Sequence, residues 1–290
     1  LIYLLLSIAA SVVIFIVFKL FSRYKVHTFQ AIVVNYIIAC SCGLIAYEGP
    51  VLISVIVDYG WFYYTLALGA LFITVFNLMA LTTQRSGLSV VSVATKMSVV
   101  VPIVFGLVYY KESLGLLKVV GIIMALAAVY LASIKKREGL TIKTKNLIFP
   151  LLVFAGSGVI DTSIKYLEGN FVAANDVPLF SATIFASAAV IGIISMVVLA
   201  ARGKITLQLK NILGGIALGI PNYFSIYFLV KALRSGLLDS SGIFTVNNVA
   251  IVMVSTLVGI LLFKERLLPK NWLGIALAVL SIFLVTISGM

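Results

Sequence analysis

Arg85-Ser86-Gly87-Leu88 and Arg234-Ser235-Gly236-Leu237 are one phrase written twice, and the residues after each copy decide the fold. After the first, an apolar run reaches Gly106 and ends on Lys111-Glu112, and a second apolar run carries Gly121 and Ala125. After the second, Gly259 precedes Lys264-Glu265, and Gly274 and Ala278 come next. Arg234 lies 149 residues after Arg85, whereas Gly106, Lys111, Glu112, Gly121 and Ala125 all recur at a shift of 153. The chain therefore holds two copies of one unit, with four extra residues inside the second. In a membrane chain such a repeat points to a transporter whose site lies where the copies meet.

The copies are not soluble domains. Of 290 residues, 62% are hydrophobic and only 10% are charged, with a mean hydropathy of +1.21. A soluble domain of this length has no use for so much apolar residue. Apolar runs of about 20 residues match a hydrocarbon core about 30 Å thick. Ten runs can be read, at about 1–21, 27–47, 61–83, 88–110, 115–134, 146–167, 178–201, 211–233, 241–263 and 270–288. Each is long enough to cross as a helix, and none alternates like a membrane barrel strand. The expected fold is an all-α integral membrane protein of ten transmembrane helices. The first run has neither a basic leader nor a small-residue cleavage site, so it reads as a retained helix.

Charge sets the orientation. The net charge is +12, but the basic residues sit between apolar runs, where they meet anionic lipid headgroups and fix topology. No nucleic-acid partner is expected. Lys19, Arg23 and Lys25 follow the first span. Lys135, Lys136, Arg137, Lys143 and Lys145 join the fifth to the sixth, Arg202, Lys204 and Lys210 follow the seventh, and Lys264, Arg266 and Lys270 follow the ninth. Glu48 and Asp58 follow the second span, and Glu168 and Asp176 the sixth. All the strongly basic connections fall on one side, which the positive-inside rule makes cytoplasmic. Both termini then lie outside, in a cell inner (plasma) membrane. Corresponding connections in the two halves carry opposite bias, as five spans per copy require. The expected organisation is two inverted five-helix repeats, 1–134 and 146–290, joined by a basic linker, 135–145.

Little chemistry is available. His27 is the only histidine, and Cys40 and Cys42 stand two apart in one apolar run. A metal site, a disulfide framework or a histidine-based triad is therefore not expected, and no cofactor or catalytic residue is assigned. Lys96 lies about 12 Å inside the fourth span at the rise of a helix. A charge at that depth faces a cavity or a partner, so Lys96 is a candidate anchor for a carboxylate or phosphate; the alternative is a structural ion pair or a lysine reaching the interface. Asn247 and Asn248 occupy the matching stretch of the ninth span, and the alternative for them is interhelical hydrogen bonding. Asp161 is the one acid well inside a span. It is a candidate for proton coupling, although Lys165 at i+4 offers it a local partner. Asn222 follows Pro221 in the eighth span, with Tyr223 and Tyr227 beyond it. Pro221 frees a backbone carbonyl there. Asn77 and Asn35 are further polar candidates, and Pro102 is expected to kink the fourth span. Gly121-x-x-x-Ala125 and Gly274-x-x-x-Ala278 are small-residue faces that let backbones approach, between the fifth and tenth spans or between protomers. Tyr59, Trp61, Tyr63 and Tyr64 read as an interfacial aromatic belt.

With its two five-span halves, the phrase Pro102…Gly106…Lys111-Glu112 echoed by Gly259…Lys264-Glu265, and the glycines of the fifth and tenth spans, the chain resembles the drug/metabolite transporter superfamily, in particular its ten-span EamA-like members. Ser11…Lys19 and Ser157…Lys165 add to the likeness. The resemblance covers nearly the whole chain. It implies secondary transport of a small metabolite by alternating access through a cavity lined by spans 1, 3, 4, 6, 8 and 9. One departure is that the first span carries no acid, whereas the small multidrug relatives depend on a glutamate there.

The expected function is thus a secondary active transporter, not an enzyme, for an amino acid, organic acid or phosphorylated compound. Lys96 would attract the negative group, and Asn77, Asn222, Tyr223, Tyr227, Asn247 and Asn248 would orient the substrate. The alternative is a proton-coupled drug or cation exporter using Asp161, with Lys165 beside it. A nucleotide-sugar type antiporter or a membrane enzyme fits less well. The expected partners are a small-molecule substrate, membrane lipid and a coupling proton or counter-substrate, with the chain acting as a monomer or homodimer.

Overall fold

The computed structural model describes residues 1–86, 94–111, 115–133, 148–203, 208–263 and 268–288. Gly87-Leu88, Glu112, Lys264-Glu265 and the basic linker 135–145 lie outside the described residues. The described chain is all-α. Its helices are α1 (Ile2–Arg23), α2 (Thr28–Ile45), α3 (Ile53–Asp58), α4 (Phe62–Ser86), α5 (Val100–Tyr109), α6 (Leu116–Ser133), α7 (Ile148–Asn170), α8 (Val177–Ala201), α9 (Leu209–Leu233), α10 (Ser240–Phe263) and α11 (Pro269–Ser288). A short 3-10 turn, Ala174–Asp176, leads into α8.

Among the described residues eight helices are long and apolar enough to cross a membrane. They are Ile2–Phe21, Thr28–Ile45, Phe62–Met79, Ile148–Asn170, Ala174–Ala201 (which takes in the 3-10 turn), Leu209–Leu233, Ser240–Phe263 and Pro269–Ile287. By helix length and hydropathy the chain is a multi-pass membrane protein. Two shorter apolar helices, Ala94–Tyr109 and Leu116–Leu131, stand where the fourth and fifth spans are expected. Six threonine hydroxyls in these helices are satisfied locally. Thr74, Thr82, Thr162, Thr183, Thr245 and Thr256 each donate to the carbonyl four residues back, so none needs water within the bilayer.

The fourth expected span loses its regular hydrogen bonding near its middle. Ala94–Met97 is helical, Ser98 and Val99 form a turn, and α5 comes next. Pro102 causes this: it has no N–H to give the Ser98 carbonyl, and its ring crowds that carbonyl. Val101 N donates to Ser98 O instead, at 2.9 Å, in a tighter bond. At the other end Lys111 takes φ +53 and closes α5, after Tyr110 N donates to Gly106 O. The Lys of the repeated Lys-Glu phrase thus serves here as a left-handed helix terminator.

The chain forms two compact units. One comprises Leu1–Ile8, Leu78–Lys165 and Lys231–Met290; the other comprises Ala9–Asn77 and Tyr166–Val230. Each unit draws on both sequence halves. In the first, α6 packs along α11, and α10 packs on α5, α6 and α11. A Cβ on Gly121 would meet Val285 Cγ2 at 2.7 Å, and Ala125 and Ala278 share a buried cluster with Ala128, Val129, Val249 and Val252. The two small-residue faces therefore meet each other, fifth span to tenth. In the second unit, α2 packs along α8, and Val17, Phe21, Ala31 and Leu218 join α1, α2 and α9.

Candidate functional site

Lys96 stands on the helical turn just ahead of Ser98 and Val99 and is half-buried. Its Nζ donates to Asn248 Oδ1 at 3.3 Å. Asn248 is held in turn by its own helix, its Nδ2 donating to Phe244 O at 3.1 Å. Asn247, one residue earlier, is buried, and its Oδ1 has no hydrogen-bond partner. Asp161 on α7 lies within electrostatic reach of Lys96. Gly158, three residues before Asp161, explains the approach. A Cβ there would stand 3.2 Å from Ser98 O and closer still to Val101, so only glycine lets α7 lie against the Ser98 turn.

Lys165, which the i, i+4 spacing offers to Asp161, also reaches an aromatic ring. Asp161 interacts with Lys96, and the Lys165 ammonium stands over the Tyr110 ring, 5.5 Å from its centroid. Lys96 comes from the first sequence half, and Asp161, Asn247 and Asn248 from the second. All four belong to the first compact unit. A lysine ammonium that donates to a neutral amide at 3.3 Å can exchange it for a better acceptor. A carboxylate or phosphate oxygen is such an acceptor, since charge-assisted hydrogen bonds are shorter and stronger.

The other candidates belong to the second unit. Asn222 Nδ2 donates to Asn35 Oδ1 at 3.0 Å, and Asn35 Nδ2 reaches Ile32 O at 3.4 Å. Gly219, three residues before Asn222, makes this possible: a Cβ there would come within 2.8 Å of Asn35 O. Tyr223 is fully buried, stacks on Tyr227 with centroids 5.7 Å apart, and leaves its hydroxyl without a hydrogen-bond partner. Asn77 is half-buried and donates to Ile73 O at 2.8 Å. The aromatic belt divides. Tyr63 and Tyr64 are exposed, whereas Trp61 is fully buried, stacked on Tyr59 and edge-on to Phe180. Outside the membrane segments, the Tyr59 hydroxyl is pushed up to about 12, chiefly by its hydrogen bond with Tyr47, then by burial and the Asp176 charge.

Sequence reasoning passed over polar contacts at three places. Lys118 pairs with Asp239. Asn211 accepts from His27 N at 2.8 Å and donates to Gln30 Oε1 at 2.5 Å. Asn271 accepts from Leu268 N at 2.7 Å and donates to Leu131 O at 2.8 Å. A signal for the last two was present: Lys210-Asn211 and Lys270-Asn271 occupy the same positions at the starts of α9 and α11. Among the described residues no cluster of histidine, cysteine or acidic side chains suits a metal ion, and Cys40 and Cys42 are free thiols.

No protein-family model matches the chain. It is homologous to an uncharacterized protein of Haemophilus influenzae, with 27% identity over 285 residues, 97% of this chain and 96% of that one. A protein solved by crystallography superposes with a TM-score of 0.80, covering 99% of this chain and 96% of that one at 12% identity. At that identity the likeness concerns the fold alone.

Proposed function

We propose that the chain is a ten-span secondary carrier for a small anionic or zwitterionic metabolite, working by alternating access, with Lys96 as its anion anchor. The observation that carries this reading is the Lys96 contact itself. An ammonium from one sequence half donates to Asn248 from the other, with the Asp161 carboxylate within electrostatic reach, inside a multi-pass membrane protein. Ionisable groups at such depth mark substrate or ion paths. Inverted repeats are supported by the charge bias of the connections. They are supported also by which helices pack: second span on seventh, fourth on ninth, fifth on tenth. A two-fold axis in the membrane plane brings a helix onto its own counterpart in this way. The likeness to ten-span drug/metabolite transporters agrees with that plan.

The test is counterflow in proteoliposomes preloaded with pooled amino acids, organic acids or phosphorylated compounds. Accumulation of label from one pool supports a carrier and names the substrate class. Absence of exchange in every pool contradicts it.

A second reading comes from Asp161 within electrostatic reach of Lys96. Protonation of Asp161 would change the charge that Lys96 sees, which suits a proton-coupled exporter of drugs or cations. On that reading Asp161→Asn abolishes pH-driven transport and Lys96→Ala is tolerated; the reverse pattern rules it out.

A further inference from the structure

Lys118 and Asp239 make an ion pair, Nζ to Oδ2 at 2.5 Å, that is separate from the Lys96 contact. Lys118 is the third residue of α6, and its side chain is 2% exposed. Asp239 immediately precedes α10, with its side chain 29% exposed. The Asp239 carbonyl accepts from Ile243 N at 3.0 Å, so Asp239 is the N-cap residue of α10. Its second carboxylate oxygen is buried and has no hydrogen-bond partner. The pair joins the two sequence halves, fifth span to ninth, within the first compact unit.

Stability alone is a poor reason for such a pair. Burying a lysine carries a desolvation penalty that only excellent geometry and full hydrogen bonding offset. Here one carboxylate oxygen goes unsatisfied, and two apolar side chains would hold α6 to α10 as well. An ion pair suits instead a contact that must form in one state and break in another. Its position says what it would control. Asn247 and Asn248 lie eight and nine residues along α10 from Asp239, about 12 Å down the helix. The segment that delivers Asp239 turns at Gly236, whose φ of +64 suits glycine and whose surroundings are open. The start of α10 is thus held by a short turn on one side and by Lys118 on the other.

We propose that Lys118 and Asp239 form a latch where α6 and α10 begin, and that its release lets the start of α10 lean away from α6 and opens the Lys96 site to that side. This rests on the carrier reading above, in which that side is the outside. Holding α10 upright keeps Asn248 on Lys96. Breaking the pair exposes both from outside and marks the outward-open state.

The test needs no substrate. In a Cys40→Ser/Cys42→Ser background, Asn247→Cys is labelled in intact cells with a membrane-impermeant maleimide. Asp239→Ser removes the charge yet keeps a good helix cap, and Lys118→Met removes the other partner. Each is expected to raise the labelling rate about fivefold or more, the population change a kilocalorie-scale bias produces. The swapped pair Lys118→Asp/Asp239→Lys is expected to return it towards the parent rate. Val285→Ala, a truncation in the α6–α11 seam, reports simple loosening and is expected to leave labelling unchanged. Labelling that stays at the parent rate in both single variants overturns the latch, as does an equal rise in Val285→Ala. Labelling that rises while counterflow finds no exchanged compound keeps the latch and removes the carrier reading.

Discussion

A side chain at Gly158 would run into Val101 and the Ser98 carbonyl, so this one glycine sets how near Asp161 comes to Lys96. Gly158→Val is expected to lower stability by about 1–3 kcal/mol through overpacking and to cut uptake as Asp161 is pushed off. Thermal unfolding in detergent beside uptake of the identified substrate checks both. Asn247 should behave in the opposite way. Its buried Oδ1 lacks a partner, and an orphaned buried group costs about 1–3 kcal/mol. Asn247→Leu should therefore raise the melting temperature while lowering uptake, the trade expected of a residue kept for function. A variant both less stable and fully active would contradict this. At this scale the candidates were legible because a charge or amide in an apolar run stands out. Their partners were not. The i, i+4 spacing offered Lys165 to Asp161, whereas the tertiary approach of α7 to the Ser98 turn, which puts Asp161 within electrostatic reach of Lys96, leaves no mark in the sequence.

Pro102 organises the element that carries Lys96. It cannot donate to the Ser98 carbonyl, and the helix turns irregular at Ser98 and Val99, one turn from the lysine. Pro102→Ala restores that N–H and is expected to regularise the turn at Ser98 and Val99. Stability should hold or rise by up to about 3 kcal/mol, the cost of proline inside a helix, while uptake falls because Lys96 moves relative to Asn248. Melting temperature and uptake measured together decide it; unchanged uptake would show that the irregular turn does not position the lysine. The irregularity was foreseeable from one residue. The close contact of α9 with α2 was not, since Gly215 and Gly219 read as unremarkable glycines of an apolar run. Their meaning lies in what they meet, Val34 and the Asn35 carbonyl on another helix. Burial of Trp61 belongs to the same class: a tryptophan at a span's edge reads as an interfacial anchor, and only the packing of Phe180 and Tyr59 shows it enclosed.

For the whole molecule, hydropathy alone gave the membrane class, because apolar runs of spanning length have no other stable use. The pairing of fifth span with tenth was half legible, since the two small-residue faces announced close packing without saying whether the partner was another helix of the chain or another protomer. Beyond that seam, the interleaving of the two halves in each compact unit was not legible, because the contacts of the second span with the seventh and of the fourth with the ninth leave no small-residue face in the sequence. Charge bias predicts the orientation. A C-terminal alkaline phosphatase fusion is expected to be active and a C-terminal fluorescent protein dark, as for an external terminus; the opposite pattern would invert the topology. Above all stands the claim that an ammonium shared between the halves recognises the substrate's negative group. It is tested most directly by counterflow of the identified substrate with wild type, Lys96→Arg and Lys96→Ala side by side at equal reconstitution. Loss of exchange by about a hundredfold in Lys96→Ala, the worth of about 3 kcal/mol for a charge-assisted contact, with partial rescue in Lys96→Arg, is the predicted result. Exchange in Lys96→Ala at the wild-type rate would contradict it.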